Sequence, residues 1–367
     1  MDYDKEIYDI TKAFKRICNE LINSLMRNLK LHIAEETKEG INWTAWQVEQ
    51  LKALAEYRER NKSKFKDDFS YINQRVDEII NQARVDGNLA QEKLLIDEMK
   101  KGRKFNKASE KFTAKFFKIN DRKMNALIRA TKKDFEKGEV AILRQANDQY
   151  RKIIFDAQAY ANSGAGTYAK AVDMATKDFL SRGITCIEYN NGARHTMQDY
   201  CDMCLKTATK RAYLTGEGEK RAEWGEHLVI MIKRGRGPNN EGSGVCPFCA
   251  PWTGKVLIDD VWSGGSKEDG DYPLMSYAIS QKLYHPRCKD SHTTYFNDGF
   301  DEEYDREKGI SKNEQEQAIN EYNKEQKIKY AEKQVDKYER LEKYSLDDDN
   351  KKKYGARKRQ WIFKQTL

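Results

Sequence analysis

Two short motifs hold most of the chemistry this sequence offers: Cys246-Pro247-Phe248-Cys249 and His285-Pro286-Arg287-Cys288. Three thiols and an imidazole in two close pairs make the donor set of a tetrahedral zinc ion, with each pair on a tight turn and the chain between them forming the loop that the metal closes. A proline in each turn stiffens it and preorganises the ligands. His292 is a rival to His285, because the spacing His285-x-x-Cys288-x-x-x-His292 lets either imidazole reach the site. Cys201 and Cys204 form a further pair, at i and i+3 on one face of an expected helix. They either complete a four-thiolate site with Cys246 and Cys249 or pack as small half-buried residues. Cys18 and Cys186 read as apolar fillers.

Such a cluster is either a reaction centre or a staple. Catalytic zinc keeps an open coordination position, with three protein ligands and a water. A Cys3His set leaves no vacancy, and thiolates make the metal a poorer Lewis acid. No GxSxG, HExxH or P-loop pattern is present. Glu226-His227 and Asp290-Ser291-His292 are the acid/base neighbours on offer, and neither has a convincing nucleophile. The expectation is therefore structural zinc in a protein that is not an enzyme. The alternative is a zinc-dependent nuclease or a toxin-like effector.

The surroundings of the motifs fit a staple. From Gly183 to about residue 300 the sequence reads as short strands separated by Gly-rich loops. Ile184–Tyr189, His227–Ile232, Gly254–Ile258 and Thr293–Phe296 are the strand candidates, and a helix is expected through Thr196–Thr209. Turns are expected at Asn190-Asn191-Gly192 and across Gly235–Gly244. A domain of this size, poor in aliphatic core, gains most from a metal crosslink.

Long charged helices flank this domain. Ile7, Ile10, Phe14, Ile17, Leu21 and Leu25 recur every three or four residues, a single apolar stripe. Further helices are expected at Phe69–Ala83, Leu89–Met99, Phe112–Phe135 and Val140–Ala161, with Gly183 closing one that begins after Thr167. Trp43 and Trp46, on a helix capped by Asn42 or Thr44, are a candidate docking point. Beyond Asp301 the chain is polar and helical, ending in the basic run Lys351–Trp361. That run is either a solvated helix or frayed tail, or a contact for DNA phosphate or an acidic partner. The expected fold class is α+β: a helical region over 1–182, a zinc-stapled α+β domain over 183–300, and a charged helical tail over 301–367.

Composition agrees. The 367 residues are 38% hydrophobic and 34% charged, with 5 prolines and a formal net charge of +8. That balance favours long, partly exposed helices over one large core. No apolar run approaches the ~18–20 residues of a membrane span. The acidic start lacks the features of a secretory signal, so a soluble protein folded in a cytoplasm, with reduced thiols, is expected.

The wording of the α+β region resembles that of a known family. Tyr189-Asn190-Asn191-Gly192-Ala193-Arg194, Gly225-Glu226-His227-Leu228-Val229, Cys249-Ala250-Pro251-Trp252-Thr253-Gly254-Lys255-Val256 and His285-Pro286-Arg287-Cys288-Lys289-Asp290-Ser291-His292 are similar to the minor capsid protein 2 family of tailed phages. That family belongs with the Mu F-like head morphogenesis proteins. The resemblance implies a minor head protein in the virion, present in several copies at the portal vertex inside the capsid. It implies the portal protein and the major capsid protein as partners, with possible contact with packaged DNA, and a role in head assembly and in genome packaging or ejection.

Overall fold

A computed structural model describes residues 2–39, 59–108, 110–162, 168–188, 194–232, 244–297 and 310–365. Trp43, Trp46 and their capping residues lie outside these, as do Asn190-Asn191-Gly192 and most of the Gly235–Gly244 loop. The helices are α1 (Tyr3–Glu39), α2 (Lys66–Lys100), α3 (Glu110–Asn162), α4 (Tyr168–Arg182), α5 (Met197–Trp224), α6 (Met275–Ser280), α7 (Lys312–Tyr344) and α8 (Asp348–Gln365). Strands β1 (Thr185–Glu188) and β2 (Arg194–Thr196) pair as an antiparallel ribbon. Strands β3 (Leu228–Ile232), β4 (Val256–Ile258) and β5 (Ser291–Thr294) form an antiparallel sheet of order β4-β3-β5. The fold is α+β with a helical bulk. Among the described residues no helix is long and apolar enough to cross a membrane.

The chain forms two compact units, each drawn from three separate segments. The first comprises Met1–Ile7, Arg75–Lys132 and Met203–Lys327; the second comprises Tyr8–Gln74, Lys133–Asp202 and Ile328–Leu367. In the second unit the expected stripe becomes the core: Ile10, Phe14, Ile17, Leu21 and Leu25 of α1 are all buried. Phe14 meets Phe69 of α2 at 6.2 Å and the edge of Phe135 of α3 at 5.9 Å. Each such side chain contributes on the order of 1.5–3 kcal/mol when fully withdrawn from water. Gly183 does close α4, at φ +73°, with its N–H on the Phe179 carbonyl at 2.7 Å. Arg340 of α7 donates to the next free carbonyls, Leu180 at 2.9 Å and Ser181 at 3.3 Å.

The basic C-terminal run is an ordered helix in the same unit. Asp173 of α4 accepts from the Leu346 N–H at 2.7 Å and from Asn350 Nδ2 at 3.0 Å, while Asp347 accepts from the Asn350 N–H at 3.0 Å. These carboxylates gather at the N-terminus of α8, where the helix dipole favours negative charge. Lys352, Lys353, Arg357 and Arg359 stay exposed.

Helices α2, α3 and α5 are longer than their sequence patterns suggest. Each runs through glycine, and for α2 and α5 the tertiary packing explains why. A Cβ on Gly87 would lie 2.1 Å from the Tyr213 carbonyl oxygen of α5; one on Gly216 would lie 1.9 Å from that of Arg84 in α2. The glycines let the two backbones touch within the first unit, so α5 extends to Trp224 rather than ending near Thr209.

In the three-stranded sheet β3 is central, and residues Leu228–Met231 are buried. Val229, Met231 and Leu257 pack on one face with Leu214, Trp262, Met275, Cys246 and Cys249. Leu228, Ile230, Val256 and Ile258 face the other side. Ladder pairing places His292 of β5 opposite Met231, on the face that carries the cysteines.

Candidate metal centre

Each half of the cluster sits on the tight turn its sequence suggested. The N–H groups of Cys249 and Ala250 both reach the Cys246 carbonyl, at 3.1 and 3.0 Å, and a 3-10 turn over Ala250–Trp252 carries the chain into β4. The Cys288 N–H closes the second turn on the His285 carbonyl at 2.9 Å. Backbone geometry around this second turn is strained: Lys282, Tyr284 and Arg287 all have positive φ, at 72°, 54° and 66°. Such residues each cost of order 1–3 kcal/mol and persist only where the surroundings over-determine them.

The turns bring the four sequence-predicted residues together. Cys246 Sγ lies 2.9 Å from His285 Nε2, and Cys249 Sγ lies 3.5 Å from Cys288 Sγ. The ligand atoms form two overlapping trios, Cys246–Cys249–His285 and Cys249–Cys288–Asp290, each within 4.8 Å and sharing Cys249. Zinc bonds of ~2.3 Å to sulfur and ~2.0 Å to nitrogen space tetrahedral ligand atoms by roughly 3.3–3.8 Å, so each trio is near metal-ligand spacing, although Cys246, Cys249, His285 and Cys288 do not all fall within 4.8 Å of one another. The imidazole is oriented for the task. His285 Nδ1 lies 2.8 Å from the Pro286 carbonyl, which can only accept, so Nδ1 carries the proton and Nε2 faces the thiols.

Electrostatics point the same way. Hydrogen bonds with Cys249 and then with His285 hold the Cys246 thiol below its ordinary value. Its bonds to Cys246 and Cys288, together with burial, push Cys249 up. The bond with Cys246 raises His285 to about 9. Three thiols this close, two buried and Cys288 half-buried, cannot all ionise while only one imidazolium balances them. A divalent cation would let all three bind as thiolates. The donor set therefore fits a metal ion such as zinc, which Cys246, Cys249, His285 and Cys288 could hold.

The rival ligands are placed elsewhere. His292 enters neither trio. Its Nε2 accepts from Arg221 Nη2 at 3.0 Å, which puts its proton on Nδ1, 2.8 Å from the Tyr284 hydroxyl. Burial, with the positive charges of Arg221 and Lys210, holds it neutral. Among the described residues Cys201 and Cys204 join no cluster of metal-ligating atoms, and the same holds for Cys18. Asp290, only 5% exposed and 3.9 Å from Cys288 Sγ, was noted in the sequence as an acid/base neighbour and not as a ligand. Its place two residues beyond Cys288 was the available signal.

Beside the cluster lies a polar group buried in the apolar layer. Arg221 of α5 and Asp259, which follows β4, are both 0% exposed and pair at 2.7 Å. Asp259 also accepts from the Trp262 N–H at 2.8 Å, fixing the turn after β4. Glu217, one helical turn before Arg221, is raised to about 7 by burial. A pocket of about 510 Å³ opens beside the cluster, with His285, Cys288 and Tyr284 in its wall.

The sequence matches the profile of phage minor capsid protein 2 over residues 3–366, essentially its whole length. The chain belongs to that family. No curated protein and no solved structure matches it. As a phage minor capsid protein it is a virion component with a structural role in the phage head.

Proposed function

We propose that this minor capsid protein sits at the portal vertex inside the head of a tailed phage and acts in head assembly and in genome packaging or ejection. Its partners are the portal protein and the major capsid protein. The family match over residues 3–366 carries this reading. A zinc ion held by Cys246, Cys249, His285 and Cys288 is structural: it locks the strained Lys282–Arg287 segment against the turn before β4. The exposed cations of α8, Lys352, Lys353, Arg357 and Arg359, are placed to touch packaged DNA without sequence preference.

Co-expression with the portal protein of the same phage tests this assignment. The chain is expected to co-purify with the portal ring; a chain that stays apart from both portal and capsid assemblies contradicts it. The zinc-dependent nuclease remains the second reading, because a pocket adjoins the cluster. Four protein ligands weigh against it, since they leave the metal no position for water. DNA cleavage by the purified protein that disappears on chelation and in Cys246→Ser would favour the nuclease.

A further inference from the structure

The pocket beside the cluster has a composition that selects its occupant. Its floor is apolar, built by Met124 and Leu127 of α3, Leu214 of α5, and Val261, Trp262 and Ile279. Apart from the cluster residues His285 and Cys288, its charged lining is basic: Lys123, Lys210 and Arg211, with no carboxylate among the described residues that line it. Lys123 and Arg211 are exposed. Among the described residues Lys123 Nζ reaches only the Val261 carbonyl, at 3.3 Å, and Arg211 pairs with no carboxylate. Two cations without counter-charges at an apolar pocket of about 510 Å³ are complementary to a bulky apolar group flanked by anions.

Resting on the head-protein reading, we propose that this pocket binds an acidic peptide segment of a partner virion protein. One large apolar or aromatic side chain enters the pocket, and carboxylates on either side of it meet Lys123 and Arg211. Nucleic acid fits less well. Bases stack on exposed aromatic faces, whereas Trp262 and Tyr284 are each only 8% exposed and the remaining floor is aliphatic or thioether. The wall containing Tyr284, His285 and Cys288 is the strained segment, so the pocket's shape depends on residues held rigidly in place.

The test uses the full chain and a pentapeptide of one 5-fluorotryptophan with two glutamates on each side, followed by its 19F resonance. Two variants probe separate features: Lys123→Glu/Arg211→Glu reverses the exposed charges, and Ala130→Trp fills the pocket from an exposed position. Both should keep the wild-type circular dichroism and melting temperature. Binding is expected to be saturable in the wild type and at least roughly tenfold weaker in each variant. A peptide with lysines replacing the glutamates, or alanine replacing the tryptophan, is expected not to bind. Equal binding by wild type and variants, or by the acidic and basic peptides, overturns the proposal. Displacement by a single-stranded oligonucleotide overturns it in favour of nucleic acid. Binding of indole-3-acetate as tightly as the peptide overturns it in favour of a small aromatic acid. Portal co-purification without peptide binding would sink the pocket proposal and leave the head role standing; peptide binding without co-purification would do the reverse.

Discussion

Among the described residues Arg221 is the largest side chain fully shut off from water, and two of its nitrogens, Nε and Nη1, have no partner there. Its charge is balanced by Asp259 at 2.7 Å, while His292, held neutral, accepts a further hydrogen bond. Removing one member leaves an uncompensated buried charge, so Arg221→Met should cost about 3–5 kcal/mol in urea unfolding, and Arg221→Met/Asp259→Leu should recover much of it. Glu217 gives a pH signature. Its folded pKa of about 7 lies above the unfolded value. Between those two values the folded state binds the extra proton, so stability falls as pH rises through that window. Glu217→Gln removes the dependence. Its melting temperature should therefore gain on the wild type progressively from pH 5 to pH 8, and a constant gap would contradict the burial assigned to Glu217. The gathering of Cys246, Cys249, His285 and Cys288 was legible in the sequence because each pair is local and carries its own turn. Arg221, Asp259 and His292 were not, because only the ladder that sets His292 opposite Met231 and the packing of α5 bring them together.

Helix boundaries show a similar division. The α1 stripe was legible because 3.6-residue periodicity is an intrinsic signal, and its members are buried. The stretches expected to be helical, Phe69–Ala83, Leu89–Met99 and Thr196–Thr209, leave out Gly87 and Gly216, where glycine's low helix propensity disfavours a continuous helix. Close contact between α2 and α5 overrides that propensity, and a partner backbone leaves no trace in local sequence. This makes a sign prediction. By propensity alone Gly216→Ala would stabilise α5 by about 1 kcal/mol. With the Arg84 carbonyl 1.9 Å from the new Cβ, the substitution should instead destabilise by roughly 2 kcal/mol or more. Gly87→Ala should behave alike, and a rise in melting temperature for either would show that the helices are not in contact there.

Across the whole chain, composition and motif wording already indicated a helical phage head protein with a small β-containing region, and the family match over residues 3–366 agrees. The gathering of three separate segments into each compact unit was not legible, because it is set by contacts between residues far apart in sequence. The metal is the proposed crosslink of the first unit, joining the chain before β4 to the chain before β5. Chelation should therefore lower the melting temperature, and added zinc should restore it. The most direct test of the account is the zinc content of protein purified under reducing conditions, measured by inductively coupled plasma mass spectrometry. The account predicts close to one zinc per wild-type chain and its loss from both Cys246→Ser and Cys288→Ser. A wild-type chain without metal, or either variant retaining it in full, would contradict the staple.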